Sequence, residues 1–154
     1  MLFRSPTAID ISGLSSPTFL SIEAGNEHTC GITTDGTAYC WGANGGEDGR
    51  LGNDSTEDSL TPVAVDTTGL SSSTFKSISA GLNSSCGITN DGTGYCWGRG
   101  WRGRLGTGDG ITSYKKPEAI DITNLSSPSG AFQSISAYNE HTCGLATEIG
   151  RAHV

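Results

Sequence analysis

Residues 19–42 read FLSIEAGNEHTCGITTDGTAYCWG, and residues 75–98 read FKSISAGLNSSCGITNDGTGYCWG. Sixteen of these 24 aligned positions are identical. Residues 132–147, FQSISAYNEHTCGLAT, start the same pattern a third time. Phe19, Phe75 and Phe132 stand 56 and 57 residues apart, and Cys30, Cys86 and Cys143 keep the same intervals. A self-similarity of this length at a fixed period is the mark of a repeat architecture.

Each unit divides into about four short strands. In the first unit they fall at Phe19-Leu20-Ser21-Ile22, Thr29-Cys30-Gly31-Ile32-Thr33, Thr37-Ala38-Tyr39-Cys40-Trp41 and Pro62-Val63-Ala64-Val65. All are rich in β-branched and aromatic residues and bounded by Gly, Asp, Ser or Pro. No stretch carries a helical period. Simple alternation puts Phe19 and Ile22 on opposite faces of their strand, which implies a sheet covered on both sides. Thr34-Asp35-Gly36 fits a three-residue hairpin loop with glycine in the left-handed position. That register sets Cys30 opposite Cys40, and in the second unit Cys86 opposite Cys96. A two-residue Asp-Gly turn would shift the register by one and separate the cysteines. The recurrence of both pairs favours the longer loop.

After each Trp-Gly the units diverge, ANGGEDGRLG in the first and RGWRGRLG in the second. Leu51 and Leu105 are expected to pin these loops to the core. The Ser-rich joints GLSSPTF, GLSSSTF and NLSSPSGAF recur in phase and read as surface turns. Repeat boundaries follow at 8–63, 64–118 and 119–147, with 1–7 as the end of a preceding repeat. Residues 148–154, EIGRAHV, break the pattern where a Tyr-Cys-Trp-Gly strand is due. A common sequencing adapter translates to this tail, which is therefore expected to be non-native.

The marks F-x-S-I-x-A-G, H-T-C-G-I-T-x-D-G-T-x-Y-C-W-G, G-R-L-G and a later Pro recur in order over residues 4–147. In this the chain resembles the regulator of chromosome condensation repeat family. The resemblance implies an all-β fold of propeller blades, here about two and three-quarter repeats of a seven-bladed ring. The paired cysteines look most like a bacterial, exported branch of that family. Two positions depart from the pattern. Tyr138 replaces the glycine of Gly25 and Gly81, and would be strained if that site needs a positive φ. Ser84 replaces the histidine of His28 and His141.

Five cysteines form two matched pairs and an orphan. Cross-strand disulfides Cys30–Cys40 and Cys86–Cys96 are the favoured reading, because opposed strand positions bring Cβ atoms near bonding distance. Such bonds point to an oxidising, extracellular or cell-surface location. Buried free thiols are the alternative. A metal on His28, Cys30 and Cys40 would lack a fourth ligand, and the second unit offers only two. The acidic loop holding Glu47, Asp48, Asp54, Glu57 and Asp58 lacks calcium-loop spacing and reads as a solvated variable loop. Trp41 and Trp97, fixed at a strand end, read as packing between blades. Trp101, between Arg99 and Arg102 in the variable loop, is the aromatic expected to be exposed for a partner.

A net charge of −7 disfavours a grip on nucleic acid phosphates. No apolar run approaches the roughly 18 residues of a membrane span. Neither a catalytic constellation nor a phosphate-binding loop can be placed, and no cofactor is implied. The function expected is thus a non-enzymatic scaffold that grips a protein through its variable loops. The alternative is a nucleotide-exchange factor or chromatin-associated regulator, as in the eukaryotic branch of the family. That reading would call for reduced cysteines and a basic face.

Overall fold

A computed structural model describes residues 7–46, 48–110, 112–124 and 131–146. The tail at 148–154, most of 1–7, Glu47 and most of the third Ser-rich joint lie outside these residues. The described chain is all β apart from one short 3₁₀ turn. Strands β1 (Phe19–Ala24), β2 (His28–Thr33), β3 (Ala38–Gly42) and β4 (Ser59–Ala64) form an antiparallel meander. β5 (Phe75–Ala80), β6 (Ser84–Thr89), β7 (Gly94–Gly98) and β8 (Tyr114–Ala119) repeat it. β9 (Phe132–Ala137) and β10 (Thr142–Ala146) pair as a third sheet. Neighbouring sheets pack chiefly through β2 on β5 and β6 on β9, with β1 on β5 and β5 on β9 alongside.

The central hairpins have the register expected from the longer loop. Ile32 faces Ala38, Gly31 faces Tyr39 and Cys30 faces Cys40, and the second hairpin is identical through Cys86 and Cys96. Gly36 and Gly92 hold φ of 85° and 92°, which side-chain-bearing residues rarely adopt. The aspartate before each glycine ties the turn. Thr33 Oγ1 donates to Asp35 Oδ1 at 2.6 Å, and Thr89 Oγ1 donates to Asp91 Oδ1 at 2.6 Å. The Ser-rich joint folds onto the same turn, where Ser15 N donates to the Tyr39 hydroxyl and Ser71 N to that of Tyr95.

The two faces of each blade differ from the alternation expected. The pairing of β5 with β6 slips by one residue between Phe75 and Ser77, and β1 slips likewise after Phe19. A bulge of this kind places two residues against one and reverses the side-chain parity. Phe75 therefore opposes Thr89 and Ile78 opposes Gly87, so Phe75 and Ile78 share a face. That face, with Trp97, packs on Cys30, Ile32, Ala38 and Cys40 of the first blade. The opposite face of the second blade carries Cys86 and Cys96 against Ala137 and Ile135. Coverage on both sides thus holds, but through different residues.

Polar groups lock the joints between blades. Asn26 N donates to Gly81 O of the next blade at 3.2 Å, and Leu82 N donates to Tyr138 O at 3.2 Å. A Cβ at Gly25 would stand 2.5 Å from Gly81 O, and one at Gly81 would stand 2.5 Å from Tyr138 O. Neither glycine has positive φ, and neither does Tyr138. The glycines recur because a neighbouring carbonyl leaves no room, so the backbone strain anticipated for Tyr138 does not arise. Arg50 and Arg104, both 4% exposed, reach across to the same turn of the next blade. Arg50 Nη1 donates to Leu82 O at 3.4 Å, and Arg104 Nη1 donates to Asn139 O at 3.0 Å. Arg50 O accepts from Trp97 Nε1 and from Ser85 Oγ.

Candidate protein-contact loop

Both loops that follow Trp-Gly are folded segments with their own anchors. In the first, Asn44 is fully buried. Its side chain accepts from Leu51 N and donates to Ser55 O and Glu57 O, while its own N–H donates to Asp58 Oδ1 at 2.7 Å. One carboxylate of the acidic loop is therefore occupied in holding the loop together. Among the described residues no group of three His, Cys, Asp or Glu could hold a metal ion.

The second loop carries Arg99, Trp101 and Arg102. It is closed at its base by Gly100 N donating to Ser113 Oγ at 3.2 Å, and across its middle by Gly103 N donating to Gly110 O at 2.6 Å. Leu105 buries its side chain and contributes roughly 2 kcal/mol of anchoring. Arg104 Nε donates to Trp101 O at 3.0 Å while Nη1 holds Asn139. The same buried guanidinium thus fixes the loop to its own blade and to the next.

Trp101 stands on this base with 47% of its surface exposed. The Arg102 guanidinium lies 4.3 Å from the indole centroid and that of Arg99 lies 5.4 Å away. Cations at such distances are attracted to the ring face by about 0.5–1 kcal/mol each at an exposed site. Arg102 has φ 64° and ψ 25°, a left-handed conformation that costs about 1–2 kcal/mol without glycine. Its head group pairs with Glu140 Oε2 at 3.3 Å, with both side chains exposed. Burial lowers the Arg104 pKa, and Arg99 and then Arg102 lower it further, against Glu140 and Asp48.

Trp41 and Trp97 are placed differently from Trp101. Trp97 is fully buried between blades against Phe75, with ring centroids 6.2 Å apart. Trp41 is half-buried beside Phe19 at 5.7 Å. Cys30 is bonded to Cys40 and Cys86 to Cys96, all four fully buried, and Cys143 is an exposed free thiol. His28 is not poised toward a metal. Its Nε2 lies 2.8 Å from Ser85 Oγ, whose proton goes to Arg50 O, so Nε2 carries the hydrogen. Burial first, and Arg50 second, push its pKa down to about 4. Sequence reasoning missed Arg104 and Glu140. Arg104 did recur with Arg50, but its acceptors are backbone carbonyls that leave no pattern of side chains.

The chain matches the regulator of chromosome condensation (RCC1) repeat over residues 35–88 and 91–145, and a second form of that repeat over 19–49 and 75–103. It is 33% identical over 119 residues to the E3 ubiquitin-protein ligase HERC2 of Homo sapiens, covering 76% of the chain and 2% of the ligase. It is 33% identical over 117 residues to the ultraviolet-B receptor UVR8 of Arabidopsis thaliana, covering 76% of the chain and 26% of the receptor. Among solved structures, Prp20p of Saccharomyces cerevisiae, studied for its binding to Gsp1p and histones, superposes with TM-score 0.72 at 19% identity. The match covers 86% of the chain and 32% of Prp20p. Human WBSCR16 superposes with TM-score 0.70 at 22% identity, covering 84% and 31%. At such identities these likenesses speak to the fold alone, and the chain spans about a third or less of each relative.

Proposed function

Because the chain belongs to the regulator of chromosome condensation repeat family, we propose that it serves as a non-enzymatic, exported scaffold that binds a protein through its variable loops. Its repeat units are those bounded at 8–63, 64–118 and 119–147. The observation that carries this reading is the contrast between frame and loops. Two blades repeat strand for strand in the same register, while the segments after Trp-Gly differ in length, charge and fold. Constant frames with divergent, well-anchored loops are a common basis of recognition. Trp101, Arg99 and Arg102 are the partner contacts in this reading. An exposed aromatic supported by arginines has the composition of an interface hot spot. Export is supported by the two buried disulfides, which persist in oxidising compartments.

The reading is tested by selecting a random peptide library on the chain and on a variant with residues 99–110 replaced by a Gly-Ser loop. Peptides enriched on the first and absent from the second support it. Peptides retained equally by both would sink it. Release of a labelled guanine nucleotide from a small GTPase on adding the chain would favour the exchange-factor alternative instead.

A further inference from the structure

We infer that the Trp101 loop is a receptor for an acidic peptide segment, a stretch of aspartate or glutamate on a protein partner. The inference rests on the scaffold reading above and names the chemistry of its partner. Two guanidiniums, those of Arg99 and Arg102, lie against one exposed indole in a chain whose net charge is −7, and the buried Arg104 holds the backbone carbonyl of that same tryptophan. The concentration of cations runs against the rest of the molecule. The ring holds the planar heads of Arg99 and Arg102 in place before any partner arrives. Arginine forks held this way match carboxylates two oxygens at a time.

The loop is also built to stay put. Arg104 ties Trp101 O to Asn139 O of the following blade, and Gly103 ties back to Gly110. Arg102 is held in a left-handed conformation that the sequence could have relieved with glycine. Strain retained at an exposed, ordered position is a pointer to function. The present partner of Arg102 is itself a carboxylate, Glu140, at 3.3 Å. Glu140 belongs to the third blade and occupies the place an incoming acidic side chain would take. Arg99 forms no ion pair among the described residues. By contrast, the cleft of about 340 Å³ lined by Gly25, Asn26, Gly81, Leu82, Tyr138 and Asn139 has no charged side chain on its walls.

Three fluorescein-labelled peptides serve as probes on the full chain: hexaglutamate, a neutral Gly-Ser hexamer and a neutral hexamer containing leucine and phenylalanine. Fluorescence anisotropy reads the affinities. Hexaglutamate should bind best, and added sodium chloride should weaken it. The double variant Arg99→Ser with Arg102→Ser should weaken it about tenfold or more, and Trp101→Ala roughly fivefold. Glu140→Gln should tighten it by about two- to threefold, since it removes a competing carboxylate without touching the loop. A gain cannot come from misfolding. Hexaglutamate binding that is absent, or equal in wild type and the double variant, overturns the inference. So does weakening by Glu140→Gln, or tighter binding of a single-stranded oligonucleotide of equal charge. Binding of the apolar hexamer that falls with Trp101→Ala but not with the double variant rejects the acidic partner and keeps the loop. Binding that no loop variant changes rejects both.

Discussion

At the scale of single residues, the joints between blades depend on groups that have no freedom to change. His28 is neutral and buried, with its Nε2–H directed to Ser85 and Nδ1 without a partner. Its folded pKa of about 4 lies below the ordinary value near 6.5. Between those values the unfolded chain binds a proton that the folded chain refuses. Stability is therefore full above pH 6.5 and falls as the pH drops toward 4, by roughly 3 kcal/mol for the whole shift. The Asp35 and Asp91 carboxylates act in a separate, lower window. Hydroxyl and amide donors, led by Ser15 for Asp35 and Ser71 for Asp91, hold both below the usual range. Their contribution is lost only as the pH falls further. Urea unfolding at pH 7 and pH 4.5 should show a drop in the native chain that is largely absent in His28→Ser. Serine is what the second blade carries there, at Ser84. An equal drop in both would show that His28 is not its source. Gly81→Ala should cost about 1–3 kcal/mol, because its Cβ would stand 2.5 Å from Tyr138 O. Gly69→Ala, with no neighbour within 4 Å though at φ 88°, separates collision from backbone strain and should cost less.

At the scale of the element, the hairpin shows both what a sequence can specify and where it stops. The register of β2 on β3 was legible because two cysteine pairs independently demanded the same loop, and glycine is needed at its left-handed position. The burial of Leu51 and Leu105 was legible for the same reason, repetition in phase. The faces of β1 and β5 were not, because a bulge inside a short strand leaves no mark in the alternation of apolar residues. Phe19 and Ile22 are three apart and still share a side. The glycine of Ala-Gly was visible as a repeat, but its reason, a carbonyl from the next blade, is a tertiary fact. The clamp by Arg50 and Arg104 is hidden likewise. For the proposed contact loop, Trp101, Arg99 and Arg102 could be singled out, but their stacking and the nearness of Glu140 depend on how two blades meet. Each disulfide closes a loop with a sequence separation of 10. Restricting the unfolded chain over that span is worth about 2.5 kcal/mol. Replacing Cys86 and Cys96 together by alanine should lower the free energy of unfolding by about that amount or somewhat more, since both are fully buried. Alkylation of the native, unreduced chain should label Cys143 alone. Labelling of all five cysteines without reductant would remove the staples from the account.

At the scale of the whole molecule, stability in stacked repeats is a sum of units and of the faces between them. The second blade is covered on both sides, and every residue of β6 and β7 is buried. Matching positions in the other blades are open to different degrees. Ile78 is 6% exposed but its equivalent Ile22 is 50% exposed, and Ile88 is fully buried where Leu145 is 58% exposed. The ranking should therefore follow the number of covered faces and not the sequences of the strands, which are nearly the same. Amide hydrogen exchange under native conditions reads this ranking directly, because each amide reports the free energy of the opening that frees it. Amides of β6 and β7 should exchange most slowly, those of β2 and β3 next, and those of β9 and β10 fastest. The comparison between β2 and β6 is the sharpest, since both are six-residue central strands paired on two sides and each holds one half of a disulfide. A difference between them cannot come from local hydrogen bonding or from the staple, and must come from the neighbour on the exposed face. Arg104→Met, which removes the donors to Trp101 O and Asn139 O while keeping an apolar stem, should then speed exchange in β9 and β10 and leave β2 and β3 unchanged. Equal protection of all three sheets, or an Arg104→Met effect that spreads evenly, would show that the blades unfold as one block and not joint by joint.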